Sequence, residues 1–301
     1  MEKTLKTGAC SIIIGRNIYE GYFPVRDNKL LKLTKIGENH NEFKHLSLIR
    51  QIENYKDYYS IPDKETGILL KDGEFYNKIM KLTLKDNLNI FDSNLCYMYI
   101  DYAGSTDVVD SIDFLEINGY SYIWKDMKSI LKFIKHITTG LNFLHDKKLC
   151  HLDIKAENVM INFINGKPVF KLIDFGFCSK EPFDDFVKYF KGTPGYFPQH
   201  FDSIKYIQKG LPLIYANDMD KVNGKIPMVE NRRLVYKVDS YCFGRLINLI
   251  YYHYLDNREL LCCFDSERST VNKVKKIINL LVEPDVFKRI TISELYHFNL
   301  T

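Results

Sequence analysis

The sequence predicts an α+β fold, with strands in the first third of the chain and helices dominating the rest. Residues 1–100 consist of short alternating apolar segments and one helical stretch. Beyond them, apolar residues recur every three or four positions over residues 123–144, which predicts a long amphipathic helix. The same spacing over residues 243–250 and 271–281 predicts two further helices.

Length and composition limit the possible functions. The chain has 301 residues, enough for one large domain or two ordinary ones. A net charge of +4, without a long block of one sign, argues against a nucleic-acid partner or binding to an anionic membrane. No stretch is long and apolar enough to span a membrane. The seven cysteines are scattered and form no C-x-x-C pair, so we expect reduced thiols in the cytoplasm and no structural zinc.

The most informative part of the sequence lies between residues 150 and 199, where three short motifs follow one another. Residues 151–158 have the pattern H-x-D-x-K-x-x-N, and a D-F-G triplet begins sixteen residues after Asn158. A G-T-P-G-Y segment begins sixteen residues after the glycine of that triplet. Together the motifs resemble the catalytic loop, the D-F-G motif and the end of the activation segment of a protein kinase.

This resemblance implies a two-lobed fold that transfers the γ-phosphate of ATP to a protein hydroxyl, with Mg²⁺ as the metal. Asp153 is expected to orient or accept the proton of the attacking hydroxyl, and Lys155 to neutralise the γ-phosphate. Asn158 and Asp174 supply hard oxygen ligands for Mg²⁺. Thr193 is expected to contact Asp153 and Lys155. A lysine two residues after the aspartate is typical of Ser/Thr rather than Tyr kinases.

The resemblance is weaker in the first hundred residues, where the nucleotide-binding elements are expected. The segment after Lys6 resembles a glycine-rich loop in which only Gly8 remains, and Ile13 is expected to cover the adenine. The run K-L-L-K-L resembles the third strand of the family. In that register Lys32 binds the α- and β-phosphates and Leu30 lies over the adenine, while Lys35 is a competing lysine.

Two parts of this region leave alternatives open. Glu42 begins a helical pattern and is the expected partner of Lys32, with Glu38 and Glu53 as alternatives. Residues 58–61 resemble the fourth strand, and residues 62–94 are longer than the family needs at this point. We interpret them as an insertion that forms a hairpin.

The hinge between the lobes is expected at residues 101–104, after a fifth strand over residues 95–100. Its backbone, from Asp101 to Ala103, is expected to bind the adenine edge, and Met160 to form the floor beneath the ring.

Three positions bear on structure and regulation in the second half of the chain. Asp239 is expected to hold the backbone of the catalytic loop, and Arg289 to hydrogen-bond Gln199. Leu152 stands where most regulated kinases carry an arginine that pairs with a phosphorylated loop residue. We therefore expect the activation segment to be shaped by packing of aromatic residues: Phe183, Phe186 and Phe190.

The sequence thus predicts a single kinase domain over residues 1–301, with an N-lobe of about 1–100, a C-lobe of 105–301 and a second insertion at about 203–236. The expected activity is that of a Ser/Thr protein kinase with a protein substrate. A pseudokinase that acts as a binding or scaffolding module is the alternative, and a small-molecule phosphotransferase of the same broad fold is a third. The chain is also similar in style to kinase-like proteins of large DNA viruses, which would place it in the host cytoplasm or the virion.

Overall fold

The computed structural model describes residues 5–7, 11–35, 43–83, 94–113, 123–183, 193, 196, 232–256 and 268–298. The chain divides into two compact units. The N-terminal unit comprises Met1–Ser47, Ser60–Ala103 and Asp174–Gly176, and the C-terminal unit comprises Leu48–Tyr59, Gly104–Ile173 and Phe177–Thr301. The predicted α+β architecture is confirmed, because the larger sheet lies in the first unit and the long helices lie in the second.

The N-terminal unit contains a five-stranded antiparallel sheet with strand order β1-β2-β3-β5-β4. Its strands are β1 (Leu5–Thr7), β2 (Ser11–Ile14), β3 (Lys29–Lys35), β4 (Pro62–Leu69) and β5 (Leu95–Asp101). The helices of the first hundred residues are α1 (Arg16–Tyr19), α2 (Leu46–Ile49), α3 (Tyr55–Tyr58) and α4 (Glu74–Thr83).

One face of this sheet is covered by α1 and α4. Three residues of α4, Phe75, Tyr76 and Ile79, are buried in a core that they share with the sheet. The strand residues of this core are Ile12, Ile14, Leu31, Leu33, Leu95 and Tyr99. Since side chains alternate between the faces of a strand, Lys32 lies on the opposite face.

The structure corrects two predictions in the first hundred residues. Residues 58–61 do not form the fourth strand, because Tyr58 ends helix α3 and the strand begins at Pro62. Residues 62–94 do not form a hairpin either, since within their described part β4 is followed by the helix α4. In α4, Leu82 is 46% exposed, and the buried side chains follow helical spacing.

The C-terminal unit is mainly helical. Its helices are α5 (Val108–Asp113), α6 (Met127–Asp146), α7 (Tyr236–Asp256), α8 (Arg268–Leu281) and α9 (Ile292–His297), with 3₁₀ helices at Ala156–Asn158 and Arg232–Val235. Its short strands are β6 (Thr106–Asp107), β7 (Leu149–Cys150), β8 (Val159–Ile164), β9 (Lys167–Leu172) and β10 (Ser179–Lys180). Strands β6, β8 and β9 form one small sheet, and β7 pairs with β10.

Helix α6 is the central element of this unit and packs against α7, α8 and α9. It begins after Asp126, whose carboxylate accepts a 2.7 Å hydrogen bond from the Ser129 backbone N–H and so caps the first turn. Its predicted apolar stripe is buried, which confirms the long helix, although Ile123 lies before the helix rather than in it. Among the described residues, no helix is both long and apolar enough to cross a membrane.

Candidate active site

The segment from His151 to Asn158 connects β7 to β8 and ends in the 3₁₀ helix. Its residues Leu152, Asp153 and Asn158 are 0%, 6% and 5% exposed. Leu152 has a φ of +64°, a left-handed conformation that is unfavourable for residues other than glycine. Such a backbone persists only where neighbouring groups hold it in place.

Asp239 on α7 holds the backbone of His151 and Leu152 through hydrogen bonds. Its Oδ1 accepts the Leu152 N–H at 2.7 Å, and its Oδ2 accepts the His151 N–H at 2.8 Å. The His145 Nε2 lies 3.0 Å from the same Oδ2. Asp239 is fully buried, and these charge-assisted hydrogen bonds offset the desolvation cost of burying its carboxylate. The predicted role of Asp239 in holding the catalytic-loop backbone is confirmed.

His151 links the loop to the residue that precedes Asp174. Its Nδ1 accepts the Asp153 N–H at 3.3 Å, so the ring proton belongs on Nε2. That Nε2 lies 3.1 Å from the Ile173 carbonyl oxygen and donates to it. The Ile173 N–H in turn donates to the Asn158 carbonyl at 3.0 Å. His151 therefore orients Asp153 through the backbone on one side and Ile173 on the other.

The side chain of Asp153 is the centre of a polar network. Its Oδ1 accepts the Thr193 hydroxyl at 2.6 Å, and its Oδ2 lies 3.1 Å from the Lys155 ammonium nitrogen. Lys155 also donates to the Thr193 Oγ1 at 2.8 Å. The Asn158 amide nitrogen donates to Asp153 Oδ2 at 2.9 Å and to the Asp153 carbonyl at 2.8 Å. The structure thus brings together four of the predicted site residues, all in the C-terminal unit.

In the N-terminal unit, Lys32 and Asp174 lie together. The Lys32 Nζ is 3.7 Å from the Asp174 Oδ1, and the same oxygen is 3.4 Å from the Gly176 N–H. The Lys32 side chain is 8% exposed and that of Asp174 is 46% exposed. Lys32 pairs across the strands with Ile13, and Leu30 pairs with Ile100, so these side chains share one face of the sheet. These residues therefore lie on the face predicted to bind the nucleotide, and that role stays a prediction.

The predicted hinge residues are fixed by contacts that the sequence did not indicate. The Lys29 Nζ bridges Asp63 and Asp101, at 2.7 Å from a carboxylate oxygen of each. Burial lowers the pKa of Lys29, but the two carboxylates outweigh this effect and leave it raised. The Ser60 hydroxyl donates to the Asp101 carbonyl at 2.8 Å, and the Tyr102 N–H donates to Asn28.

The remaining predicted residues have different outcomes. Gly8 and Glu42 lie outside the described residues, as do Glu38 and Gln199. Glu53 is exposed and lies outside a helix. Ala103 is 6% exposed, and Met160 is half-buried on β8, opposite Asp107 of β6.

Gly104, the last residue of the predicted hinge, follows Ala103 directly. A side chain at Gly104 would collide with the Ile161 carbonyl, so only glycine fits there.

A second polar group surrounds Asp239. Donor atoms of His145, Cys150 and Asp239 all lie within 4.8 Å of one another, as in many metal sites. Burial raises the pKa of the Cys150 thiol well above its usual value, and the Asp239 carboxylate adds to that effect. The thiol is therefore neutral, and the carboxylate is already engaged with two backbone N–H groups. We assign this group to holding the loop.

Comparison with known proteins agrees with this geometry. Residues 78–206 match the protein kinase domain, a range that includes the whole Asp153 network and Asp174. The serine/threonine-protein kinase ppk34 of Schizosaccharomyces pombe is 29% identical over 189 residues, which are 62% of this chain and 50% of that protein. Protein kinase ORF73 of Ictalurid herpesvirus 1 is 45% identical over 67 residues, 22% of this chain and 6% of that protein.

The match over residues 78–206, together with these relatives, supports a member of the protein kinase superfamily. The chain spans half or less of the length of these relatives. Protein kinase domains generally use ATP and Mg²⁺. Sequence reasoning missed Lys29, Asp63 and Ser60, because their contacts join residues 34 to 72 positions apart. The only local signal was the position of Lys29 at the start of the third strand.

Proposed function

We propose that this kinase domain transfers the γ-phosphate of ATP to a serine or threonine hydroxyl of a protein. The observation that carries the proposal is the network in which Thr193, Lys155 and Asn158 converge on the Asp153 carboxylate. Catalysis of phosphoryl transfer depends mainly on positioning and on neutralisation of charge. A buried carboxylate held from three directions meets the first requirement, and the adjacent ammonium group meets the second.

Each residue of the network has a distinct proposed role. Asp153 orients the substrate hydroxyl and accepts its proton, since a carboxylate close to the reacting group is a suitable base. Lys155 offsets the negative charge of the transferred group. Thr193 donates to Asp153 and accepts from Lys155, so its hydroxyl fixes the distance between them.

Each unit, taken by itself, offers groups that suit a magnesium nucleotide. When bound, Mg²⁺ and ATP supply the transferable phosphoryl group and neutralise charge on the phosphate oxygens. Asn158 uses its amide nitrogen on Asp153, so its side-chain oxygen is the atom left to ligate a metal. Asp174 offers a carboxylate that is 46% exposed, and Lys32 carries the charge proposed for the α- and β-phosphates. Hard oxygen donors of this kind suit Mg²⁺.

The pseudokinase alternative rests on the nucleotide-binding segment. Only one glycine, Gly8, remains in the expected glycine-rich loop, and Leu30 presents a large side chain on the face that carries Lys32. Thermal stabilisation by ATP that depends on Mg²⁺, followed by autophosphorylation, supports the active kinase. Stabilisation without any transfer supports the pseudokinase.

The proposal also covers the source of the protein and the compartment in which it acts. The match to a herpesvirus protein kinase supports an origin in a large DNA virus, which would place the protein in the host cytoplasm or the virion. Four of the cysteines, Cys96, Cys150, Cys178 and Cys242, are buried, and buried thiols of this kind fit a reducing compartment.

The decisive experiment replaces Asp153 by Asn and measures transfer of labelled γ-phosphate to a degenerate peptide library. Asp153→Asn should reduce the rate by about a hundredfold or more, while the melting temperature stays near that of the wild type. Asp27→Asn is the matched control, because the Asp27 side chain is 96% exposed. A wild-type rate in the Asp153→Asn variant would contradict the proposed function.

A further inference from the structure

The end of the activation segment contacts the catalytic loop through two side chains. The first is Thr193, whose hydroxyl lies between Asp153 and Lys155. The second is Tyr196, whose phenolic oxygen accepts a 3.2 Å hydrogen bond from the Ala156 backbone N–H. The Tyr196 N–H also donates to the Thr193 carbonyl at 3.4 Å, so the two residues that contact the loop are hydrogen-bonded to each other.

The Ala156 N–H depends on the Tyr196 hydroxyl as its hydrogen-bond acceptor. Ala156 is the first residue of the 3₁₀ helix, where backbone N–H groups have no partner within the helix. Ala156 is also fully buried, so water does not replace a missing acceptor. A buried donor that loses its partner is unfavourable by its full desolvation cost. The Tyr196 hydroxyl therefore stabilises one backbone conformation at the point where the loop turns towards Asn158.

The phenol stays in its neutral form under ordinary conditions. Burial raises the pKa of Tyr196, and Glu157 adds to the rise, while the hydrogen bond from Ala156 lowers it. The net shift is upward, so the contact persists across the pH range in which kinases are assayed.

We propose that Tyr196 is a positioning residue for phosphoryl transfer, acting through its hydrogen bond to the Ala156 backbone. The inference rests on the proposed kinase activity. Thr193 fixes the side chains of Asp153 and Lys155, and Tyr196 fixes the backbone between Lys155 and Asn158. Small displacements of catalytic groups reduce rates strongly, so loss of this backbone contact should lower kcat.

The first test is Tyr196→Phe, which removes only the hydroxyl. We expect kcat to fall about tenfold while the KM for ATP changes less than about twofold, as for an interaction that acts on the chemical step. Tyr22→Phe is the matched control, since it removes a phenol that donates to Glu74 in the N-terminal unit. A lower melting temperature with an unchanged kcat would show a merely structural role and overturn the proposal.

The second test removes the donor instead. Ala156→Pro deletes the N–H, and proline is tolerated at the first position of a helix. Lys155 already has the extended conformation that proline requires of its predecessor, with φ −151° and ψ 170°. If the contact is the cause, Tyr196→Phe should change kcat less than about twofold in the Ala156→Pro background. Comparing kcat among the wild type, the two single variants and the double variant isolates the effect of the contact. The comparison remains valid when one single substitution also lowers the melting temperature.

The experiment distinguishes failure of the proposed role of Tyr196 from failure of the proposed kinase activity. Equal losses from Tyr196→Phe in both backgrounds, or none in either, would overturn the role of Tyr196 while the wild-type protein remains active. Absence of transfer by the wild-type protein would overturn the proposed function itself.

Discussion

At the scale of single residues, Leu152 shows how the catalytic loop keeps an unfavourable backbone. Its φ of +64° costs on the order of 1–2 kcal/mol for a residue with a side chain. The hydrogen bond from its N–H to the buried Asp239 carboxylate is charge-assisted and is worth about the same or more. Asp239 therefore holds a conformation that the local sequence does not favour, and it directs Asp153, the next residue.

The two lysines of β3 differ in the face of the sheet on which they lie. Lys32 and Lys35 are three residues apart, so their side chains project from opposite faces. Lys32 shares its face with Ile13 and is close to Asp174. Lys32→Met should raise the KM for ATP about tenfold or more, whereas Lys35→Met should leave it within about twofold. Steady-state kinetics and thermal shift with Mg²⁺ and ATP measure both, and equal losses would show that the strand register is wrong.

At the scale of elements, helix α4 within residues 62–94 packs its apolar side chains into the core of the N-terminal unit. Its residue Ile79 is 1% exposed and lies in the core shared with the sheet, whereas Leu82 on the same helix is 46% exposed. Ile79→Ala should lower the free energy of unfolding by about 2–4 kcal/mol through lost burial and a cavity.

The control for this prediction is Leu82→Ala, which should change stability by about 0.5 kcal/mol or less. Chemical denaturation of the purified variants provides the comparison. A similar loss from both substitutions would mean that α4 presents a different face to the sheet.

The long helices and the strands β3 and β5 could be predicted from the sequence, whereas the elements around Tyr58 could not. Helices α6 and α8 have apolar stripes of 3.6-residue period over several turns, which is a strong local signal. Tyr58 and Tyr59 gave the wrong prediction because their burial comes from contacts with α6: Tyr58 packs edge-to-face on Phe143, and the Tyr59 hydroxyl donates to Gly140. Such long-range contacts leave no local pattern.

In the candidate site too, residues in local motifs could be predicted from the sequence, whereas a long-range contact could not. Asp153, Lys155, Asn158, Asp174 and Thr193 lie in short local motifs, and their roles were predicted from the resemblance of those motifs to protein kinases. The contact between Tyr196 and Ala156 joins residues 40 positions apart, so only the fold reveals it.

At the scale of the whole molecule, the two units are not consecutive pieces of the chain. Residues 174–176 cluster with the N-terminal unit, although the sequence on either side belongs to the C-terminal unit. A fragment that ended at residue 103 would therefore lack Asp174 and Phe175, the latter fully buried. The single kinase domain expected over residues 1–301 stays a prediction.

Regulation is the last property that the whole molecule allows us to predict. A kinase that is switched by phosphorylation of its loop needs a cation beside the catalytic aspartate. That position is Leu152, which is fully buried and cannot pair with a phosphate. The hydroxyls of Thr193 and Tyr196 are already bonded to the catalytic loop, and Ser179 is 8% exposed in β10. The remaining hydroxyl of the segment, Tyr189, lies outside the described residues.

We therefore expect the active shape of this segment to be set by packing rather than by a phosphate. Phe183 is fully buried and packs edge-to-face against Tyr236 of α7, with ring centroids 5.1 Å apart, while Phe186 and Phe190 lie outside the described residues. Treatment of the purified protein with phosphatase should leave kcat within about twofold, with phosphate occupancy followed by mass spectrometry. A large fall in activity that tracks loss of phosphate from Ser179, Tyr189 or Thr193 would show that a phosphate, held by another cation, sets the loop.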